Sequence, residues 1–161
     1  MDCTPNPKHC GGTGGCEGAT GELAMTYLMG SPGLALESNY KYKGRDGRCQ
    51  KSPAAVTIEG YKVVSPNNDP DATQAALVNT GPLAISVAAE PWMMYDSGIF
   101  DGCSYSKNID MDHLVLLTGY GVDKGKKFWN VRNSWNGRWG EKGYIRLLWE
   151  DTLKCGTDKT P

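Results

Sequence analysis

Hydrophobic and polar residues follow a helical period early in the chain. Apolar residues recur at helical spacing between positions 17 and 29, which predicts a helix ended by Gly30 and Pro32. A second, shorter helix is expected to begin with Asp69 as N-cap and Pro70 as its first residue, and to close at Gly81. Both helices fall in the first half of the chain.

Strand patterns dominate the second half. The alternating or continuously apolar segments predict strands over residues 55–64, 83–88, 113–122, 127–133 and 143–149. The segment 83–88 is expected to be a buried strand. Because helix falls mainly early and strand mainly late, the sequence predicts an α+β fold rather than repeated β-α-β units.

Composition narrows the class of protein. The chain has 161 residues, 39% of them hydrophobic, which is enough for a packed core and too many for a disordered or fibrous chain. The net charge is −1, so no nucleic-acid or anionic membrane partner is indicated. No apolar run approaches the length of a membrane span.

Six cysteines at irregular spacing predict disulfides and an oxidising compartment. Met1 is not followed by a basic and then apolar leader, so we expect that residues upstream of it are missing. A metal site at His9, Cys10 and Cys16 is the alternative use of these side chains, but no fourth ligand has suitable spacing. Neither a metal nor a cofactor is predicted.

Three segments carry candidate chemistry. His113 opens an apolar strand, Asn133 ends the next, and residues 139–146 return as a neighbouring strand. Antiparallel pairing would bring Asn133 beside His113, and an amide oxygen can fix the tautomer and orientation of a histidine that serves a thiolate. Trp135 and Trp139 are expected to cover this hydrogen bond. The alternative is a structural histidine and a turn asparagine, but the two motifs occurring together favour a catalytic pair.

These motifs, MDH followed by GYG, then RNSW, then WGEKGYIRL, resemble the C-terminal half of the papain and cathepsin L family of cysteine peptidases. The cluster at residues 15–18 is similar to the family's substrate-cleft segment. The resemblance implies a truncated papain-like α+β fold. It would comprise a remnant of the helical left subdomain over residues 1–53 and a nearly complete antiparallel β-rich right subdomain over residues 54–161.

The resemblance also implies disulfides Cys3–Cys49 and Cys103–Cys155. Cys16 matches a family cysteine whose partner lies just before the nucleophile. Cys10 is extra, and it could pair with Cys16 across the flexible GGTGG stretch.

The family's nucleophile stands in a CGSCW-like motif roughly 130–150 residues before the histidine. No such motif precedes His113, and the neighbours of Cys3 do not fit it. The oxyanion-hole glutamine belongs to the same absent segment. The chain is therefore expected to be a fragment of a cysteine endopeptidase that is inactive by itself. A non-catalytic homologue acting as a binding or regulatory protein, and a small disulfide-rich secreted module, are the alternatives.

By resemblance, eight positions are assigned to substrate binding: Gly18, Ala19, Thr20, Gly21, Ala88, Met111, Asp112 and Leu114. The pocket that selects the second residue before the scissile bond is expected to be apolar. The implied partners are a peptide or protein substrate, with cystatin-like inhibitors or a propeptide as further candidates. The implied protein is a monomer of the lysosome, the vacuole or the extracellular space.

Overall fold

The structure is a computed structural model that describes residues 3, 6–102, 109–150, 156 and 158. The chain divides into two compact units, Met1–Val63 and Val64–Pro161. This division lies C-terminal to the boundary expected at residue 53.

The described residues of unit 1 include one α-helix, α1, at Gly21–Gly30. Thr20 caps it, with its Oγ1 accepting a hydrogen bond from the backbone N–H of Leu23 at 3.4 Å. The predicted start at residue 17 is wrong. A short 3-10 helix, Gly15–Glu17, comes first, and Gly18 then has a φ of 89°, which an α-helix cannot accommodate.

The strand predicted over residues 55–64 is also wrong. Its one described pairing is an isolated bridge between Val56 and Leu34. Val56 and Val63 are 55% and 61% exposed, so these two side chains do not face a core. An extended segment becomes a strand only when its backbone pairs with a neighbour along its length, which the hydrophobic pattern alone does not reveal.

Unit 2 begins with helix α2 at Pro70–Thr80, which confirms the prediction for this element. Asp69 Oδ1 accepts a hydrogen bond from the backbone N–H of Ala72 at 2.7 Å, and Gly81 forms the C-cap at a φ of 96°. Capping by a carboxylate and closure by glycine follow directly from the sequence because both effects are local.

A five-stranded sheet completes unit 2. Its strands are β1 (Leu83–Val87), β2 (Ile99–Phe100), β3 (His113–Asp123), β4 (Lys126–Arg132) and β5 (Tyr144–Leu148). Their order across the sheet is β1-β3-β4-β5-β2. All pairs are antiparallel except β2 with β5, which is parallel, so the sheet is mixed rather than purely antiparallel.

Two features of this sheet depart from the sequence predictions. Strand β2 was not predicted, because two residues are too few to show a period. Strand β1 ends at Val87, and its residues alternate between half-buried and exposed until that position, so it is not the fully buried strand that was expected. The bounds of β3, β4 and β5 differ from the predictions only at their ends.

The core of unit 2 lies on one face of this sheet. Leu117, Val131 and Ile145, from the three adjacent strands β3, β4 and β5, are the largest fully buried side chains. Leu77 of α2 joins the same cluster. Within the described residues, none of the helices is both long enough and apolar enough for a membrane crossing.

Candidate active site

His113 is the first residue of β3 and pairs with Val87 at the end of β1. Its neighbour Asp112 ties the two strands together, because Asp112 Oδ1 accepts a hydrogen bond from the backbone N–H of Ala89 at 2.8 Å. The histidine is half-buried. Its backbone is therefore held against β1 and the segment that follows β1, while its ring remains partly accessible.

Asn133 follows the last residue of β4, which pairs with Leu116 of β3. Its backbone N–H donates to the carbonyl of Gly143 at 2.9 Å, which closes the loop between β4 and β5. The side chain is only 7% exposed, and Asn133 is the one buried polar residue in the described part of the chain. The pairing of β3 with β4 thus delivers a buried amide to the start of β3.

The two side chains meet, with His113 Nε2 and Asn133 Oδ1 separated by 2.9 Å. The backbone N–H of Ser134 also donates to Asn133 Oδ1, at 2.7 Å, so two donors fix the position of this oxygen. An amide oxygen can only accept, so Nε2 carries the proton and Nδ1 is left as the acceptor nitrogen. Among the described residues, Nδ1 has no hydrogen-bond partner.

Aromatic rings cover this hydrogen bond. The Trp135 ring stacks on the His113 ring, with centroids 5.4 Å apart and an interplanar angle of 25°. Trp139 meets Trp135 edge-on at 5.1 Å, and it also packs against Trp92 and Tyr95. Excluding water around a hydrogen bond strengthens it, so the cover holds the imidazole in one orientation.

A charged network anchors the loop between β4 and β5 near the start of β5. The Arg146 guanidinium donates two hydrogen bonds to Glu141, at 2.8 and 2.7 Å, and one to Asp123 at 2.8 Å. These hydrogen bonds hold the pKa of Glu141 below its ordinary value of 4.5 and raise the pKa of Arg146. Glu141 also accepts from the backbone N–H of Gly98 at 3.0 Å, so it links the loop to the segment that precedes β2.

An open depression of about 320 Å³ lies beside the candidate pair. Three of the residues that line it follow β1, and the other three are His113 and residues close to the pair in sequence. They are Ala89, Glu90, Met93, Asp112, His113 and Trp135. In the described part of the chain, no group of three or more histidine, cysteine, aspartate or glutamate residues could hold a metal ion. The site therefore offers an oriented imidazole at the edge of an open depression.

The residues assigned to substrate binding fall into two groups. In unit 1, Gly18 and Ala19 precede Thr20, the N-cap of α1, and Gly21 is the first residue of that helix. In unit 2, four residues stand at the ends of β1 and β3: Ala88, Met111, Asp112 and Leu114. Met111 and Leu114 are 38% and 44% exposed, so neither is a core residue within its unit.

The described residues include some of the cysteines whose pairing was predicted. The structure contains the disulfide Cys3–Cys49. Cys10 and Cys16 are both exposed, and no disulfide joins them. The pair Cys103 and Cys155 lies outside the described residues.

Several residues that support the site were not identified from the sequence. Glu141 and Arg146 lie in the 139–146 segment, and their opposite charges were the available signal. Tyr95, whose hydroxyl donates to the carbonyl of Gly98 at 2.7 Å, had no such signal. Glu90 and Met93, which line the depression, also belong to no motif.

The chain is similar to known proteins in sequence and in structure. Residues 1–161 match the family described as papain family cysteine protease. A probable cysteine protease, RD21B, from Arabidopsis thaliana is 36% identical over 148 residues, which is 88% of this chain and 31% of that protein. The cysteine endopeptidase RepA from Oryza sativa is 41% identical over 139 residues, 83% of this chain and 35% of that protein. The chain thus spans about a third of the length of these curated relatives.

A solved structure agrees with these matches. The bromelain protease from Ananas comosus, in complex with the E64 inhibitor, superposes with a TM-score of 0.79 at 34% identity. The match covers 92% of this chain and 69% of that one. The papain-like resemblance seen in the sequence is confirmed, and so is the papain-like α+β fold.

Proposed function

Because the chain belongs to the papain family of cysteine proteases, we propose that His113 and Asn133 form the acid–base half of a cysteine-type endopeptidase. The observation that carries this proposal is the 2.9 Å hydrogen bond from His113 Nε2 to a buried amide oxygen. It leaves the other ring nitrogen available to a nucleophile, which is the arrangement that covalent catalysis by a thiol requires.

The nucleophile of the proposed reaction is a cysteine in a segment that is not part of these 161 residues. The relatives are about three times as long as the matched region, and no CGSCW-like motif stands before His113. His113 would take the thiol proton to give a thiolate and an imidazolium. The thiolate attacks the peptide carbonyl, and the imidazolium then donates its proton to the departing amine, leaving a thioester acyl-enzyme.

Asn133 has a positioning role in this scheme. Its oxygen keeps the imidazole in the tautomer and orientation that the proton transfers need, through both steps. A carboxylate is not required there, since the working state is already a thiolate–imidazolium ion pair. Trp135 and Trp139 support the same function by covering the hydrogen bond.

We also propose the partners and the cellular location that the resemblance in sequence implies. The substrate would be a peptide or protein, and a cystatin-like inhibitor or a propeptide would compete for the same cleft. The enzyme would act as a monomer in the lysosome, in the vacuole or outside the cell. No cofactor enters the reaction.

The test compares this chain with a longer product of the same gene that includes the upstream segment. A fluorogenic peptide substrate, with and without E64, is the readout. The 161-residue chain should show no E64-sensitive turnover, and the longer product should show it. His113→Ala should lower the rate of the longer product by roughly 10²- to 10⁴-fold, while His9→Ala, in the exposed loop of unit 1, should leave the rate unchanged.

Two results would contradict this proposal. One is E64-sensitive turnover by the 161-residue chain. The other is serine or glycine at the nucleophile position of the longer product, together with no hydrolysis, which would identify a non-catalytic binding or regulatory homologue.

A further inference from the structure

The loop between β4 and β5 contains an asparagine followed directly by glycine, Asn136–Gly137, and no other Asn-Gly pair occurs in the sequence. Both residues are exposed. Asn136 has a φ of 131°, a backbone conformation that strongly favours glycine over any residue with a side chain. The proposed peptidase mechanism gives the Asn136 side chain no role.

The Asn136 side chain is folded back over the peptide bonds that follow it. Its Oδ1 accepts a hydrogen bond from the backbone N–H of Arg138 at 2.7 Å, closing a turn that encloses the Gly137 amide. Such a hydrogen bond polarises the carbonyl of the Asn136 amide and stabilises negative charge on its oxygen when Cγ is attacked. The N–H of Gly137 donates no hydrogen bond to any residue that the structure describes, so this nitrogen is free to react.

We propose that Asn136 is a site of spontaneous deamidation. Hydroxide removes the proton from the Gly137 backbone nitrogen, which then attacks Asn136 Cγ. A new bond forms between these two atoms, the bond between Asn136 Cγ and Nδ2 breaks, and ammonia leaves with a proton taken from water. The product is a five-membered succinimide ring. Water adds to either of its two carbonyl carbons and opens it to aspartate or isoaspartate, without any change of oxidation state.

The product alters the loop that covers the candidate pair. The carbonyl of Asn136 accepts a hydrogen bond from the backbone N–H of Trp139 at 3.4 Å. It also lies within 3.2 Å of the place that a Cβ on Gly143 would occupy. An isoaspartate adds a methylene to the backbone at this crowded point, and either product adds a negative charge next to Trp135. Deamidation is therefore expected to loosen the aromatic cover over Asn133.

The protein offers two matched controls. Asn133 lies in the same loop, but it is buried and its Oδ1 is held by the backbone N–H of its own following residue, Ser134. Gly137→Ala is the second control, because an added Cβ there meets no atom within 4 Å and the variant should fold normally. That Cβ restricts the approach of the residue 137 nitrogen to Asn136 Cγ, so we expect slower deamidation than in the wild type.

The experiment incubates the full 161-residue protein in mildly alkaline buffer and follows one tryptic peptide by chromatography, which separates aspartate from isoaspartate, and by fragmentation mass spectrometry, which locates the modified residue. Trypsin cleaves after Arg132 and Arg138, which places Asn133 and Asn136 in the single peptide 133–138. Compared with a sample taken at time zero, Asn136 should gain the mass of an amide-to-acid conversion, split between aspartate and isoaspartate. Asn133 should keep its amide, and Gly137→Ala should slow the change at Asn136.

An unfolded reference makes the result decisive. The same incubation in denaturant measures the reactivity of Asn136 without the loop geometry. If Asn136 keeps its amide in the folded protein while it deamidates in the denatured protein, or if Gly137→Ala reacts as fast as the wild type, the proposal is overturned. The readout is chemical modification and does not depend on peptidase activity, so it stands or falls separately from the proposed function.

Discussion

At the scale of single residues, the buried amide of Asn133 is the feature that sets this site apart. Its oxygen accepts from His113 and from Ser134, but its Nδ2 is buried with no partner among the described residues. A buried polar group left without a hydrogen bond costs about 1–3 kcal/mol. The fold tolerates this cost at the point where the amide orients an imidazole, and costs of this kind concentrate at functional sites.

At the scale of elements, the loop from Asn133 to Gly143 is the structural unit that carries the site. The hydrogen bond between the backbones of these two residues joins the two ends of the loop, and Glu141 anchors its second half to Arg146 on β5. Tyr95 packs against Trp139 from outside the loop, with ring centroids 5.6 Å apart. Holding a short loop at both ends is how a fold keeps a side chain at the accuracy that catalysis needs.

The Glu141–Arg146 contact predicts a pH dependence of stability. The hydrogen bonds from Arg146 lower the pKa of folded Glu141 below its ordinary value of 4.5. A carboxyl group with a lowered folded pKa stabilises the fold above its unfolded pKa, and this contribution is lost as the pH falls through the folded value. Glu141→Gln should therefore be less stable than wild type at neutral pH, and the difference should shrink as the pH falls below about 4.5.

Urea unfolding followed by tryptophan fluorescence at a series of pH values measures this difference. Glu22→Gln, on the exposed side of α1, is the control for the loss of one carboxylate without an ion pair. A stability difference for Glu141→Gln that stays constant from neutral to acid pH would show that the contact contributes nothing through its charge.

Elements with a strong local or periodic signal were predictable from the sequence, whereas a very short strand and an extended segment without a partner strand were not. Helix α2 follows from Asp69, Pro70 and Gly81, whose effects act within one turn. The strand predicted over residues 55–64 failed and β2 was missed, because both depend on a partner strand distant in sequence. The His113–Asn133 pair could be inferred because His113 begins one predicted strand and Asn133 ends the next, and antiparallel pairing brings these two ends together. The Arg146 network requires the register of β5 and could not be inferred.

At the scale of the whole molecule, the two units differ in how they are stabilised. Every buried hydrophobic residue of the described core belongs to unit 2, from Leu77 to Trp149. The described residues of unit 1 include no fully buried one, and α1 buries none of its side chains completely. Unit 1 must therefore depend more on the cross-link between Cys3 and Cys49 than on hydrophobic burial.

Removing that disulfide should destabilise unit 1 selectively. The cross-link closes a loop with a sequence separation of 46, for which loop-closure entropy predicts about 4 kcal/mol of stabilisation. In a Cys3→Ala, Cys49→Ala variant, we expect hydrogen exchange to accelerate in α1 and to change little in β3, β4 and β5. Hydrogen-exchange mass spectrometry resolves the two units, with Cys10→Ala as the control for loss of a cysteine outside this disulfide. Equal acceleration of hydrogen exchange in the sheet would show that the disulfide does not stabilise unit 1 selectively.

The tautomer of His113 reveals whether Asn133 orients its ring. The protein has two histidines, and exposed His9 serves as an internal reference in long-range ¹H–¹⁵N spectra of the imidazole nitrogens. We predict that neutral His113 carries its proton on Nε2, and that Asn133→Leu abolishes this preference. A proton on Nδ1, or spectra of His113 that are the same with and without the amide, would contradict this prediction.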